Sequence, residues 1–169
     1  MKVRRGQVTI CPGCGLKLPD PRLDPNRRLS ASPECWDLFC KLSAKTMSLH
    51  DTEFIHQTAI DSYQAQHAGG INKNISVAFG LIGLYLALER GYSGREVQKA
   101  HMVLANRFKD WPKFEPPTRE WQMTVQDILQ AKSDSEYREK IRLWAKSVWE
   151  KWQSDRDRII ELVEKYLYR

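Results

Sequence analysis

Residues 74–90 read NISVAFGLIGLYLALER, and this stretch decides the fold. Ile75, Val77, Phe79, Leu81, Ile82, Leu84, Tyr85, Leu86 and Leu88 leave no polar face, so a helix here has to be surrounded by other helices. Gly80 and Gly83 carry no side chain and let a neighbouring helix approach closely, at some cost in helix propensity. Gly91 ends the stretch. The nearly uncharged run Ile75–Leu88 is 14 residues long, short of the roughly 20 that cross a bilayer. The stretch therefore predicts the central helix of a bundle, with no membrane as partner and a cytoplasmic location.

Helix signals flank it on both sides. Ser32-Pro33, a hydroxyl N-cap followed by proline, predicts a first helix to about Thr46. Ser48-x-x-Asp51 predicts a second, running to about His67 and stopping at Gly69-Gly70. The link between them is short, so the two are antiparallel neighbours. Ser93-x-x-Glu96 opens the helix after the central one and carries it to about Phe108. Thr124-x-x-Asp127 starts a short helix. Ser133-x-x-Glu136 starts the last and longest one, with Ile141, Trp144, Ala145, Val148, Trp152, Ile159, Leu162, Val163 and Tyr166 as its inward stripe. A bend is expected in the polar stretch Gln153–Arg158, and Trp149 lies off the stripe. Trp111 to Pro117 reads as a strap on the surface. The fold class is thus mainly α: a bundle of about five to six helices with an N-terminal zinc-knuckle loop segment that is treble-clef-like. At 169 residues, 41% hydrophobic and 28% charged, the chain is neither disordered nor fibrous. One compact domain is expected, with residues 1–31 packed on a bundle of residues 32–169.

The N-terminal segment differs in character. Residues 1–31 carry seven basic and two acidic side chains within a net charge of +6. The basic ones are Lys2, Arg4, Arg5, Lys17, Arg22, Arg27 and Arg28. A basic ribbon of this kind can contact nucleic acid through phosphates, but the aromatic residues are not interleaved with it as a stacking platform requires. A solvated surface is the preferred reading. No hydrophobic stretch follows Met1-Lys2-Val3-Arg4-Arg5 before Cys11, so secretion is not expected and the cysteines read as reduced thiols. Val8-Thr9-Ile10 and Leu16–Leu18 suggest a short strand and its return.

Between those strands stands Cys11-Pro-Gly-Cys14-Gly15. Two cysteines in a tight Gly/Pro turn aim both sulfurs at one spot, and turn amides help hold their negative charge. A redox pair would open a helix instead, and Gly15-Leu-Lys-Leu-Pro19 is a poor one, so Zn2+ is the expected cofactor. A closed zinc site needs two more ligands. Cys35 sits in the first turn of the first helix, where free amides and the dipole favour a thiolate. Cys40, about 140° further round that helix, cannot share the ion and reads as a buried small hydrophobe. The fourth ligand is expected from His56 or His67. Folding the two helices together sets Cys35 level with Ile60 or Asp61, midway between the histidines. His67 is preferred because the chain can bend at Gly69-Gly70; His56 is the alternative. Such an ion, carrying formal charge −1 with its ligands, would be comfortable near Lys17 or Arg28. His50 and His101 read as helix-surface imidazoles.

Taken together, Cys11-Pro-Gly-Cys14-Gly15, Ser32-x-x-Cys35-Trp36, His56-x4-Asp61-x-Tyr63-x2-Gln66-His67 and Trp144-Ala-x-x-Val148-Trp149-x-x-Trp152 resemble an uncharacterised bacterial family, domain of unknown function 5946. The resemblance extends from Cys11 to beyond Trp152. It implies that Cys11, Cys14, Cys35, His56, Asp61, Tyr63, Gln66 and His67 belong to one motif set, and it carries no reaction with it. The family usually has proline after the Gln-His pair, where Ala68 stands here.

No nucleophile motif, Gly-rich phosphate loop or paired-carboxylate signature is present, so the favoured function is a binding or interaction role around a structural zinc. The alternative is a metal-dependent, hydrolase-like enzyme in which the ion has three protein ligands and Asp61 or His56 serves as a catalytic residue. A protein partner fits the first reading.

Overall fold

The central helix is built as its sequence requires. A computed structural model describes residues 8–19, 30–117 and 120–169. It holds a hairpin of β1 (Val8–Ile10) and β2 (Lys17–Pro19), followed by α1 (Pro33–Ser48), α2 (Ile55–Gln66), α3 (Asn74–Glu89), α4 (Gly94–Arg107), α5 (Val125–Leu129), α6 (Asp134–Lys151) and α7 (Arg156–Tyr166). Helix α3 is buried from Val77 to Leu86 apart from Phe79, and packs against α2, α4, α6 and α7. Seven α-helices among the described residues exceed the five to six expected, because the last one divides. Helix α6 stops at Trp152, a 3-10 turn follows over Gln153–Asp155, and α7 resumes. The break falls within the polar stretch where a bend was expected. None of these helices is long and apolar enough to cross a membrane.

Capping chemistry sets most boundaries. Ser32 Oγ accepts from the Cys35 amide at 3.2 Å at the start of α1, and Ser93 and Glu96 close a reciprocal capping box on α4. The expected start of α2 at Ser48 is wrong. Ser48 Oγ donates back to the Lys45 carbonyl at 2.7 Å and so extends α1. The chain then turns through two left-handed residues, His50 (φ 50°) and Phe54 (φ 56°). Asp51 accepts from the Ile55 amide at 3.1 Å, and α2 begins only at Ile55 rather than directly after Ser48.

Other readings are also corrected. Trp111 and Phe114 are buried in the core, so residues 111–117 anchor in the bundle as well as crossing it. Cys40 is exposed, because α1 turns its Cys40 side outward while Cys35, Phe39 and Leu42 face in. Trp149 is buried too, and its indole donates to Glu89 Oε1 at 2.8 Å, beside the Glu89–Arg156 ion pair. His101, by contrast, is the half-buried, hydrogen-bonded imidazole on a helix surface that was expected: its Nε2 donates to the Phe79 carbonyl at 3.0 Å and its ring stacks on Phe79 at 4.6 Å. Lys17 is exposed on β2. Lys2, Arg4, Arg5, Arg22, Arg27 and Arg28 lie outside the described residues.

Helices α2 and α3 pack closely at Gly80 and Gly83. A Cβ built on Gly80 would stand 3.1 Å from the Asp61 carbonyl oxygen, and one on Gly83 would overlap the Asp61 carboxylate. Helix propensity alone makes Gly83→Ala a gain of about 1 kcal/mol. Overlap this close with a buried carboxylate costs about 3 kcal/mol, the upper end of the usual overpacking range. Urea unfolding of Gly83→Ala should therefore show a net loss of about 2 kcal/mol; a more stable variant would contradict the packing. Burial pushes the His101 imidazole down to about 4. Its unfolded state takes a proton near the ordinary value of 6.5, so the folded chain loses stability as pH falls from there toward 4. In denaturation curves at several pH values, His101→Gln should show a shallower acid decline than the wild type.

Candidate metal centre

The hairpin forms the first half of the site. Strands β1 and β2 pair antiparallel with Thr9 opposite Leu18. In the turn between them the Cys11 amide donates to the Leu16 carbonyl at 2.9 Å, and the Gly15 amide to the Cys11 carbonyl at 2.9 Å. Gly15 takes φ 75°, a conformation that favours glycine. Both sulfurs point inward. Cys11 and Cys14 are buried although the strand residues Val8 and Ile10 are exposed.

The second half comes from two helix ends. Cys35 lies in the first turn of α1, and His67 caps the C-terminus of α2 with its amide donating to the Tyr63 carbonyl. Cys35 and His67 are both 0% exposed. One donor atom from each of Cys11, Cys14, Cys35 and His67 lies within 4.8 Å of the others. Cys14 Sγ stands 3.7 Å from Cys35 Sγ, and Cys35 Sγ stands 3.4 Å from His67 Nε2. Tetrahedral ligands at ~2.3 Å for sulfur and ~2.0 Å for nitrogen are separated by about 3.5–3.8 Å, so these spacings suit a zinc-sized ion.

The surrounding groups orient the donors. His67 Nδ1 donates to the Tyr63 carbonyl at 2.8 Å, which leaves Nε2 as the lone pair facing the sulfurs. The Tyr63 ring stacks on Phe39 at 4.1 Å and on His67 at 3.9 Å. Its hydroxyl donates to Cys35 Sγ at 3.4 Å, and the Ser32 amide donates to Cys11 Sγ at 3.5 Å. Trp121 Nε1 donates to the Gly13 carbonyl at 3.0 Å and ties the turn to the connector between α4 and α5. No motif in the sequence signalled Trp121, since a lone indole in a loop has no spacing to read.

Charge is tightly constrained here. Cys11 is the thiol that ionises most readily, because Cys14 and Cys35 donate to it. Its thiolate then opposes the others: Cys14 is pushed up to about 12 and Cys35 is also raised, by hydrogen bonding to Cys11 and by burial. All three sulfurs could be thiolates this close in a buried pocket only with a cation among them.

His56 and Asp61 are not part of this cluster. His56 Nδ1 donates to Thr46 Oγ1 at 2.7 Å, and Thr46 donates in turn to the Ser43 carbonyl, which pins α2 to α1. Burial lowers the His56 imidazole. Asp61 faces α3, with Oδ1 accepting from Gln57 Nε2 at 3.0 Å, and burial holds its carboxyl well above the usual range. Gln66 accepts from Trp144 Nε1 at 3.2 Å and donates to the Met123 carbonyl at 2.7 Å.

Fold and site define a mainly helical protein with a buried Cys3His cluster compatible with a metal ion such as zinc. The chain belongs to a family of unknown function, DUF5946, which matches residues 9–153 and so takes in the hairpin and the bundle through α6. Among curated proteins and among solved structures, nothing matches it.

The turn docks on His67 through Gly13. A Cβ there would stand 2.5 Å from His67 Cδ2 and overlap the Ser30 carbonyl oxygen. Gly13→Ala should therefore destabilise the chain by about 1–3 kcal/mol in chemical denaturation. Unchanged stability would mean that the hairpin does not seat on the end of α2.

Proposed function

We propose that this chain is a zinc-binding protein in which Cys11, Cys14, Cys35 and His67 hold one structural Zn2+, and that its role is binding or interaction, with a protein as partner. The observation that carries this reading is the completeness of the donor set: three sulfurs and one imidazole nitrogen, all buried and mutually close. Four protein ligands leave no coordination position for water, which is the signature of a structural rather than a catalytic zinc. The Tyr63 hydroxyl and the Ser32 amide, both donating to sulfur, suit a centre of formal charge −1. The ion would join residues 1–31 to the bundle of residues 32–169 as one domain, since the hairpin carries little apolar mass of its own. Three free thiols suit a reducing compartment such as the cytoplasm. A hydrolase-like reading, with Asp61 or His56 acting on a metal-bound substrate, has less support, because His56 is engaged by Thr46 and Asp61 faces α3.

Metal analysis tests the proposal. Purified wild type should carry one zinc per chain, and its cobalt-substituted form should show the intense visible bands of tetrahedral thiolate coordination. Cys14→Ser and His67→Ala should lose most of the metal, while His56→Ala keeps it. Chelation should lower the melting temperature markedly, because the binding energy of a structural zinc is folding energy. Full zinc retention in His67→Ala, or its loss in His56→Ala, would overturn the assignment.

A further inference from the structure

Helix α2 presents a second face to α3 and α4, away from the one bearing Tyr63 and His67. Asp61 lies on it at 2% exposure, its carboxylate set in the notch that Gly83 leaves open. Oδ1 accepts from Gln57, and among the described residues no hydrogen bond reaches Oδ2. The residue borders a cavity of about 320 Å³ whose walls include Ile60, Gln64, Ile75, Phe79 and His101. Its floor is buried, at Asp61, Gln57 and Gly80, and its rim is half-buried.

Ser76 and the amide groups of Gln57 and Gln64 bring hydrogen-bond donors to this cavity, but no cation. Gln64 Oε1 is buried without a hydrogen-bond partner. His101 Nε2 is committed to the Phe79 carbonyl, which leaves Nδ1 as an acceptor. Among the described residues no lysine or arginine lines the walls. A buried carboxylate with one oxygen left without a hydrogen bond is costly unless a donor, and best a cation, meets it. The aromatic surface of Phe79 stacked on His101 favours a cation as well. That burial also raises the Asp61 carboxyl agrees with the absence of a charged partner among the described residues.

We propose that the cavity between α2, α3 and α4 is a binding site for a small organic ammonium ion, its N–H groups directed to Asp61 Oδ2 and Gln64 Oε1 and its carbon body lying against Ile60, Ile75 and Phe79. The site shares no residue with the sulfur cluster and does not rest on the zinc reading.

Titration of the full zinc-loaded chain with n-butylammonium chloride, followed by amide NMR, tests it, with 1-butanol and sodium butyrate as uncharged and anionic counterparts. Saturable shifts confined to the 57–64, 75–80 and 101 regions are expected, with a dissociation constant on the order of 1 mM. Butyrate should not bind, and butanol should bind at least tenfold more weakly. Asp61→Asn should weaken n-butylammonium at least tenfold with zinc content unchanged, and Gln64→Leu about threefold. Equal binding of butanol would reduce the cavity to an apolar cleft and overturn the proposal, as would no saturation or an unaltered affinity in Asp61→Asn. Should Asp61→Asn fail to fold, Gln64→Leu decides alone, and wild-type affinity there overturns it.

Discussion

Helix α2 is a polar segment buried on every side, and the rest of the structure is arranged to satisfy it. Ten of its twelve residues are buried, among them His56, Gln57, Thr58, Asp61, Ser62 and Gln66. An unpartnered polar group in such a place costs about 1–3 kcal/mol, so each needs a specific partner. Thr46 on α1 takes His56, the Thr58 carbonyl takes Ser62, and the indole of Trp144 on α6 together with the Met123 carbonyl takes Gln66. Trp152 reaches the same helix through the Ala65 carbonyl at 3.2 Å. Two of the buried tryptophans thus hold α2 by their N–H groups as well as by their apolar surface.

The C-terminal end of α2 meets the strictest form of this constraint. His67 is wholly buried, one ring nitrogen is taken by the Tyr63 carbonyl, and the other faces three sulfurs. Tyr63 is stacked between Phe39 and His67 while its hydroxyl reaches Cys35, so one aromatic side chain links the α1 core to the cluster. The hairpin gains little from apolar burial. Besides Leu18, which is buried, and Leu16, its contact with the bundle runs through the sulfurs, the Gly13 seat on His67 and the Trp121 indole. A cation at that point would neutralise the thiolates and fasten the hairpin by the same bonds.

Much of this was legible from local signals. The bundle followed from an all-apolar helix with capping patterns on either side, and the Cys11–Cys14 turn followed from its Gly/Pro spacing. What escaped depends on contacts distant in sequence. Ser48 caps nothing, because its hydroxyl turns back to Lys45, and a spacing pattern cannot tell which way a hydroxyl turns. Cys40 faces solvent because the rotation of α1 is set by Cys35 and Phe39, not by cysteine's general preference for burial. By helix register alone, His56 and His67 fall equally far from the level of Cys35. The end of α2, where His67 occupies a non-helical cap, is what brings one of them to the sulfurs and leaves the other with Thr46. His101 gave no periodic signal because its partner is a main-chain carbonyl on α3.

The position of α2 is therefore held several times over. Asp51 and the His56–Thr46 bond secure its start, Gln66 and the His67 cap secure its end, and the glycine notch of α3 sets its depth. None of these restraints needs the free oxygen of Asp61. A neutral side chain of similar size would fill the Gly83 notch without placing a carboxylate in the interior, so packing alone does not account for an acid there. Every other titratable group buried on α2 has its polar contacts directed to neighbouring elements. Asp61 alone among them keeps an oxygen without a hydrogen bond among the described residues, and it borders the cavity beside α4, on the side of the helix that the sulfur cluster does not use.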